Sequence, residues 1–306
     1  MSKQSKISLS YNGSTQQPTL QQIQPLRDNT DPMNIAIGNP NIIQEFTHRF
    51  NVSANDYRPM SGRYLWANGG VSFVQDDISR SESVDAIGRR VYQYINVDGN
   101  YNAWGYLGYG FRVQKWNMRM GVRGNTNINH VNNYVNNVKN VTDNNSYTGG
   151  LEFNYDTKDE KFSFSLNPSV TYNDNKSTIS NLTTSFWTTN TEFEASYELP
   201  KKFEIGSDFN WYLREQTAVF DQNNNVFKWN AYVSKKFLKN DQLELRAYVN
   251  DILNQNIGFT RYAQNNFVSE NNYNTIRRYG MLSLTWNFTR SGAAPAAQDA
   301  PVDKTK

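Results

Sequence analysis

Arg278-Tyr279-Gly280-Met281-Leu282-Ser283-Leu284-Thr285-Trp286-Asn287-Phe288 alternates between two kinds of residue. Leu282, Leu284, Trp286 and Phe288 fall on one face; Met281, Ser283, Thr285 and Asn287 fall on the other. A period of two predicts a strand with one apolar and one mostly polar face. Two architectures use such a strand. A soluble sandwich turns the apolar face inward, whereas a membrane barrel turns it out to lipid and lines a wet lumen with the polar face.

The same pattern recurs upstream. Alternation predicts about twelve strands, at 5–12, 44–57, 62–78, 101–113, 115–127, 147–156, 161–173, 184–199, 202–216, 226–238, 241–250 and 275–289. Many are near the ~9–11 residues that cross a bilayer at a tilt. Phe203, Ile205, Phe209, Trp211 and Leu213 oppose Glu204, Asp208, Asn210, Tyr212 and Arg214. Leu243, Leu245, Ala247 and Val249 oppose Glu244, Arg246, Tyr248 and Asn250.

The connections separate the two architectures. Tyr57–Gly62, Gln114–Lys115, Asp156–Lys161, Pro200–Lys202 and Lys239–Asp241 are tight. The junctions between them, at Gly13–Ile43, Ser79–Asn100, Ile128–Ser146, Asn173–Thr183, Thr217–Asn225 and Asp251–Asn274, are mostly long and polar. Short and long therefore alternate. A membrane barrel does this because one rim carries turns and the other carries loops. A sandwich has no such reason. The expected fold is all-β, an antiparallel up-and-down transmembrane barrel spanning 1–290, with a disordered tail at 291–306.

Composition agrees. Of 306 residues, 37% are hydrophobic but 14% are aromatic, as expected of half-apolar strands joined by polar loops. No run approaches the roughly 20 apolar residues of a spanning helix. A net charge of +3 is too small and scattered to imply a nucleic-acid partner. Without cysteine there is no disulfide framework or thiolate chemistry. The start, Met1-Ser-Lys-Gln-Ser-Lys-Ile, has no apolar core of a signal peptide.

No constellation points to catalysis, a cofactor or a metal, so the expectation is a non-enzyme. His48 and His130 stand far apart in sequence, with no ligand beside them at metal spacing. Asp76-Asp77 and Asp143-Asn144-Asn145 lack the continuation of a calcium loop and read as solvated loop. Glu192, Glu194, Asp208, Arg214, Lys228, Glu244 and Arg246 share the polar faces of neighbouring strands, where they could line a lumen or pair across strands. Trp66, Trp104, Trp187, Trp211, Trp229 and Trp286 fit girdles at two membrane interfaces, or ligand stacking where they face the lumen.

Two regions resemble a known family. The first is Tyr11-Asn12-Gly13, Gln17-Pro18-Thr19-Leu20-Gln21-Gln22-Ile23-Gln24-Pro25, Asp28-Asn29, Asp31-Pro32-Met33-Asn34-Ile35 and Gly38-Asn39-Pro40-Asn41. It is similar to the loop before a late barrel strand in TonB-dependent receptor-like proteins of Bacteroidetes type. The second, Asn250-Asp251-Ile252-Leu253-Asn254-Gln255-Asn256 with Arg277-Arg278-Tyr279, resembles the closing hairpin of that barrel. Leu282, Leu284, Trp286 and Phe288 then look like its terminal-strand assembly signal.

The resemblance implies an outer-membrane location, with outer-membrane lipid, the barrel-assembly machinery and an unidentified ligand as partners. It implies a TonB partner only through an N-terminal plug, which these residues do not include. The chain is therefore expected to be the C-terminal part of a larger transport barrel. A complete small pore or structural barrel, and a soluble surface β-sandwich adhesin, are the alternatives.

Overall fold

A computed structural model describes residues 5–28, 31–179, 182–217, 225–238, 240–264 and 267–288, so the tail at 291–306 lies outside the described residues. Twelve antiparallel strands follow one another in chain order across one sheet. They are β1 (Ser5–Gln16), β2 (Glu45–Arg58), β3 (Arg63–Gln75), β4 (Asn100–Val113), β5 (Met118–Val135), β6 (Val138–Asp156), β7 (Phe162–Ser177), β8 (Leu182–Leu199), β9 (Phe203–Arg214), β10 (Val226–Phe237), β11 (Leu243–Asn250) and β12 (Tyr279–Trp286). Every strand expected from alternation is present.

Among the described residues the sheet is open. β1 pairs with β2 alone and β12 with β11 alone, so no seam joins Ile7–Tyr11 to Leu282–Trp286.

One rim turns tightly. Between β2 and β3 the short helix Pro59–Ser61 ends on Gly62 at φ 59°, and between β4 and β5 Gln114–Trp116 ends on Asn117 at φ 50°. Lys201 and Lys202 hold φ 64° and 63° between β8 and β9. Left-handed residues reverse the chain in few steps, and glycine and asparagine tolerate them best.

At the other rim the strands run on, which corrects the expected loop lengths. Ile128–Ser146 is not a loop: β5 and β6 stay paired up to Val135↔Val138. They are joined by Asn136 and Asn137 alone, at φ 51° and 63°, as a two-residue reversal with two left-handed centres requires. Other expected loops contain structure of their own. Asp77–Val84 and Arg90–Val97 form a hairpin, as do Gly258–Gln264 and Phe267–Tyr273. Asn34–Ile37 lies parallel beside Arg90–Gln93, and Ser81-Glu82 pairs with Tyr134-Val135 at the tip of β5. The result is a folded cap over one part of the outer rim.

Burial follows this division. Ile35, Ile42, Val97 and Val135 are buried in or beside the cap, whereas wall residues such as Leu9, Leu107 and Leu284 are half exposed or more. That is the expected distribution if lipid covers the apolar wall face.

Candidate functional site: the polar wall face and the outer cap

The register assigns every wall residue to one of two faces. Glu192 faces Asn210 and then Lys228, Glu194 faces Asp208 and then Asn230, and Arg214 faces Thr188. Arg246 lies opposite Ser234, and Glu244 opposite Lys236. All seven expected charged residues therefore share the polar face. Asp208, Arg214 and Arg246 among them make side-chain contacts. Asn230 donates to Asp208 at 2.6 Å, Tyr232 donates to Glu204 at 2.6 Å, and the Arg246 guanidinium sits 4.2 Å from the Tyr232 ring centre. Arg214 lies 4.3 Å from the ring centre of Phe186.

On the same face, aromatic rings lie over glycines of the next strand. Trp66 covers Gly108, Tyr64 covers Gly110, Trp104 covers Gly70 and Tyr232 covers Gly206, each in direct register. A Cβ at Gly108 or Gly206 would overlap the ring. The flat ring fills the space that glycine leaves and shields its backbone. Trp66 and Trp104 thus point to the polar face, which corrects their reading as lipid-facing girdle residues. Trp187, Trp211, Trp229 and Trp286 are on the apolar face.

Two aromatic bands border the apolar face. Towards the outer rim, His48, Phe73, Tyr101 and His130 form one row. Within it His48 stacks on Phe73 at 5.0 Å and Tyr101 on His130 at 4.9 Å. Towards the turns lie Tyr109, Phe111, Tyr155, Phe162 and Phe164. From Tyr101 to Phe111 β4 rises about 33 Å, or about 25 Å across a bilayer at the usual tilt. That is the height of a barrel's apolar band.

The two histidines are roughly 14 Å apart across three strand spacings. His130 instead meets Asp143 at 2.6 Å, and Asp143 lies in β6 rather than in the expected loop. Among the described residues, no group of three or more His, Cys, Asp or Glu side chains is gathered as for a metal.

Asparagines, Asn132 and Asn140 among them buried, build the cap. Asn132 is 3% exposed; its backbone N–H donates to Asn100 Oδ1 at 2.7 Å and its amide to the Asp98 carbonyl at 3.2 Å. Asn96 donates to the Asp76 and Ile43 carbonyls and accepts from the Ile43 N–H. Asn140, fully buried, donates to Asn133 Oδ1 at 2.9 Å and accepts from Ser177 Oγ at 3.0 Å and the Ile179 N–H at 3.2 Å. Such amides satisfy backbone groups that a loop otherwise leaves to water. Nearby, the Asn34 amide and then the Met33 N–H hold the Asp31 carboxyl below the usual carboxylate range.

A second knot ties the last two wall strands. Asp251 is fully buried, and its two carboxylate oxygens accept the N–H groups of Gln255 and Asn256 at 2.9 and 3.0 Å. Arg278 then donates to the Ile252 carbonyl, and Asn256 to that of Ile276.

The separation of the two rims can be probed on intact cells. Epitope tags inserted at Gly88 or after Asn137 are expected to be labelled by antibody from outside, and tags at Lys158 or Lys201 only after the membrane is opened. Equal labelling of both sets would remove the separation of rims. Asn224 and Asn265, in the expected long junctions Thr217–Asn225 and Asp251–Asn274, lie beyond the described residues.

Two overlapping stretches, residues 1–140 and 122–286, match the model of one family. No curated protein and no solved structure matches the chain. The matched stretches cover the whole wall and the cap. The chain belongs to the outer membrane protein beta-barrel family, and its location is the cell outer membrane.

Proposed function

We propose that the chain forms the wall and the outer ligand loops of a TonB-dependent receptor-like transport barrel. The observation that carries this reading is the cap. A passive pore needs outer loops only as connections, yet here they have buried apolar residues and a hydrogen-bonded asparagine frame. Ordering them costs about 1–2 kcal/mol of backbone entropy per residue, which a mere connection has no need to meet. A rigid outer surface suits ligand capture.

In this reading Glu192, Glu194, Asp208, Arg214, Lys228, Glu244 and Arg246 line the lumen. Leu282, Leu284, Trp286 and Phe288 present the last strand to the barrel-assembly machinery. The partners are outer-membrane lipid, a ligand at the cap, and TonB by way of a plug outside this sequence; no catalysis and no nucleic acid are involved. The open edges fit a larger barrel, because each unpaired N–H or C=O in lipid costs several kcal/mol, on the order of a full desolvation penalty. Further strands therefore close the sheet between β12 and β1.

Conductance separates this reading from an open pore. The natural protein, purified from its native outer membrane, is expected to show no steady current in planar lipid bilayers, because a plug fills the lumen. A steady ohmic conductance would place the protein among passive pores.

A further inference from the structure

The cap holds charged groups that the fold does not use. On the strand Asp77–Val84, Arg80 and Glu82 project from the same face, opposite Tyr94 and Tyr92. The Arg80 guanidinium lies 4.7 Å from the Tyr92 ring centre and 5.8 Å from that of Tyr94, and the two rings meet edge to face at 6.2 Å. Among the described residues, the Arg80 and Glu82 side chains have no hydrogen-bond or ion-pair partner. Together they line a cleft of about 470 Å³ that also receives Asn34, Asp77, Arg90 and Asn133.

This site is built rather than incidental. The strand Arg90–Val97 that carries both tyrosines is paired on each side, and the Tyr94 carbonyl accepts the Asn39 amide at 2.8 Å. The rings hold Arg80 by cation–π contact and orient its planar fork, which suits a carboxylate bidentately. Glu82 supplies the opposite charge two residues along the same strand face. Cα atoms two apart on a strand stand about 6.6–6.8 Å from one another. Two extended peptide residues span at most about 6.6–7.2 Å.

We propose that this cleft binds the zwitterion of a short peptide, with its carboxylate on Arg80 and its ammonium on Glu82. The peptide group between them lies beside Asn34, and the tyrosine rings border the side chains. The proposal rests on the reading of the cap as the ligand surface and gives that ligand a chemistry.

Calorimetric titration of the full chain in detergent micelles tests it with three probes. Dialanine carries both charges, N-acetylalanine only the carboxylate, and alaninamide only the ammonium. Saturable binding of dialanine is expected, with each blocked probe at least tenfold weaker. Arg80→Gln and Glu82→Gln are each expected to weaken dialanine at least tenfold while the β-sheet circular dichroism stays unchanged. Dialanine that fails to saturate the folded protein overturns the proposal. So does N-acetylalanine binding as tightly as dialanine, which would reveal a plain anion site, and so does undiminished dialanine binding by either variant. None of these results alters the conductance of the natural protein, so the two readings fail separately.

Discussion

Arginine in place of Leu107 is expected to cost about 2–4 kcal/mol of folding free energy in lipid vesicles. Leu107 lies on the apolar face of β4, half exposed, with Ala67 and Gly124 beside it in register. It stands midway between the row of Tyr101 and the band at Phe111, where a charge is farthest from water on either side. The same substitution at Asn125 is the control. Asn125 lies opposite Tyr106, at the same depth but on the polar face, and Asn125→Arg is expected to stay within about 0.5 kcal/mol of the parent.

Depth adds a second contrast. At Leu245 the sequence suggests the same 2–4 kcal/mol for arginine near mid-bilayer. The structure places Leu245 opposite Lys235, whose ammonium lies 4.5 Å from the Phe203 ring centre at the start of β9. That row is close to the turn-side interface and already holds a cation. Leu245→Arg is therefore expected to cost only about 0–1 kcal/mol, as charges near an interface do. Urea titration of the three variants in vesicles gives the order Leu107, then Leu245, then Asn125. Equal costs at Leu107 and Asn125 would mean that the apolar face does not meet lipid.

The wall was legible because lipid imposes a strict period on it. Phe203, Ile205, Phe209 and Trp211 had to alternate with polar partners, and the strand appears at those residues. Beyond the outer row that constraint ends. β5 and β6 continue through Val131–Val135 and Val138–Asp143 with polar residues on both faces, so nothing in the period distinguishes a ribbon from a loop. Asn132 and Asn140 look like solvated asparagines in sequence, yet both are buried frame members. Their role depends on partners such as Asn100 and Ser177, 30 or more positions away, which no local pattern can indicate. Trp66 is a different case. Its parity with Tyr64 and Asn68, against Leu65 and Ala67, already assigned it to the polar face, and only its chemistry suggested a girdle. The cleft at Arg80 was missed for the same reason as the ribbon, since its charges read as an ordinary loop.

Replacing Asp251 by alanine is expected to loosen the knot between β11 and β12 more than any other single change there. The carboxylate is fully buried and accepts two backbone N–H groups, from Gln255 and Asn256. Hydrogen bonds to a charged acceptor contribute about 1.5–3 kcal/mol each, and alanine removes that acceptor from both N–H groups. Asp251 also sits at φ 50°, where alanine is less well tolerated than aspartate. Together these give a loss of about 3 kcal/mol or more. Hydrogen exchange at residues 252–256 should then be faster by roughly two orders of magnitude, since each 1.4 kcal/mol is tenfold. Asp251→Asn keeps one acceptor and should fall between the parent and the alanine variant. The loosening should reach Tyr279, because Arg278 donates to the Ile252 carbonyl and the β11–β12 register begins at Asn250↔Tyr279. Unchanged exchange at both places in the alanine variant would show that the buried carboxylate does not hold the last strand in register.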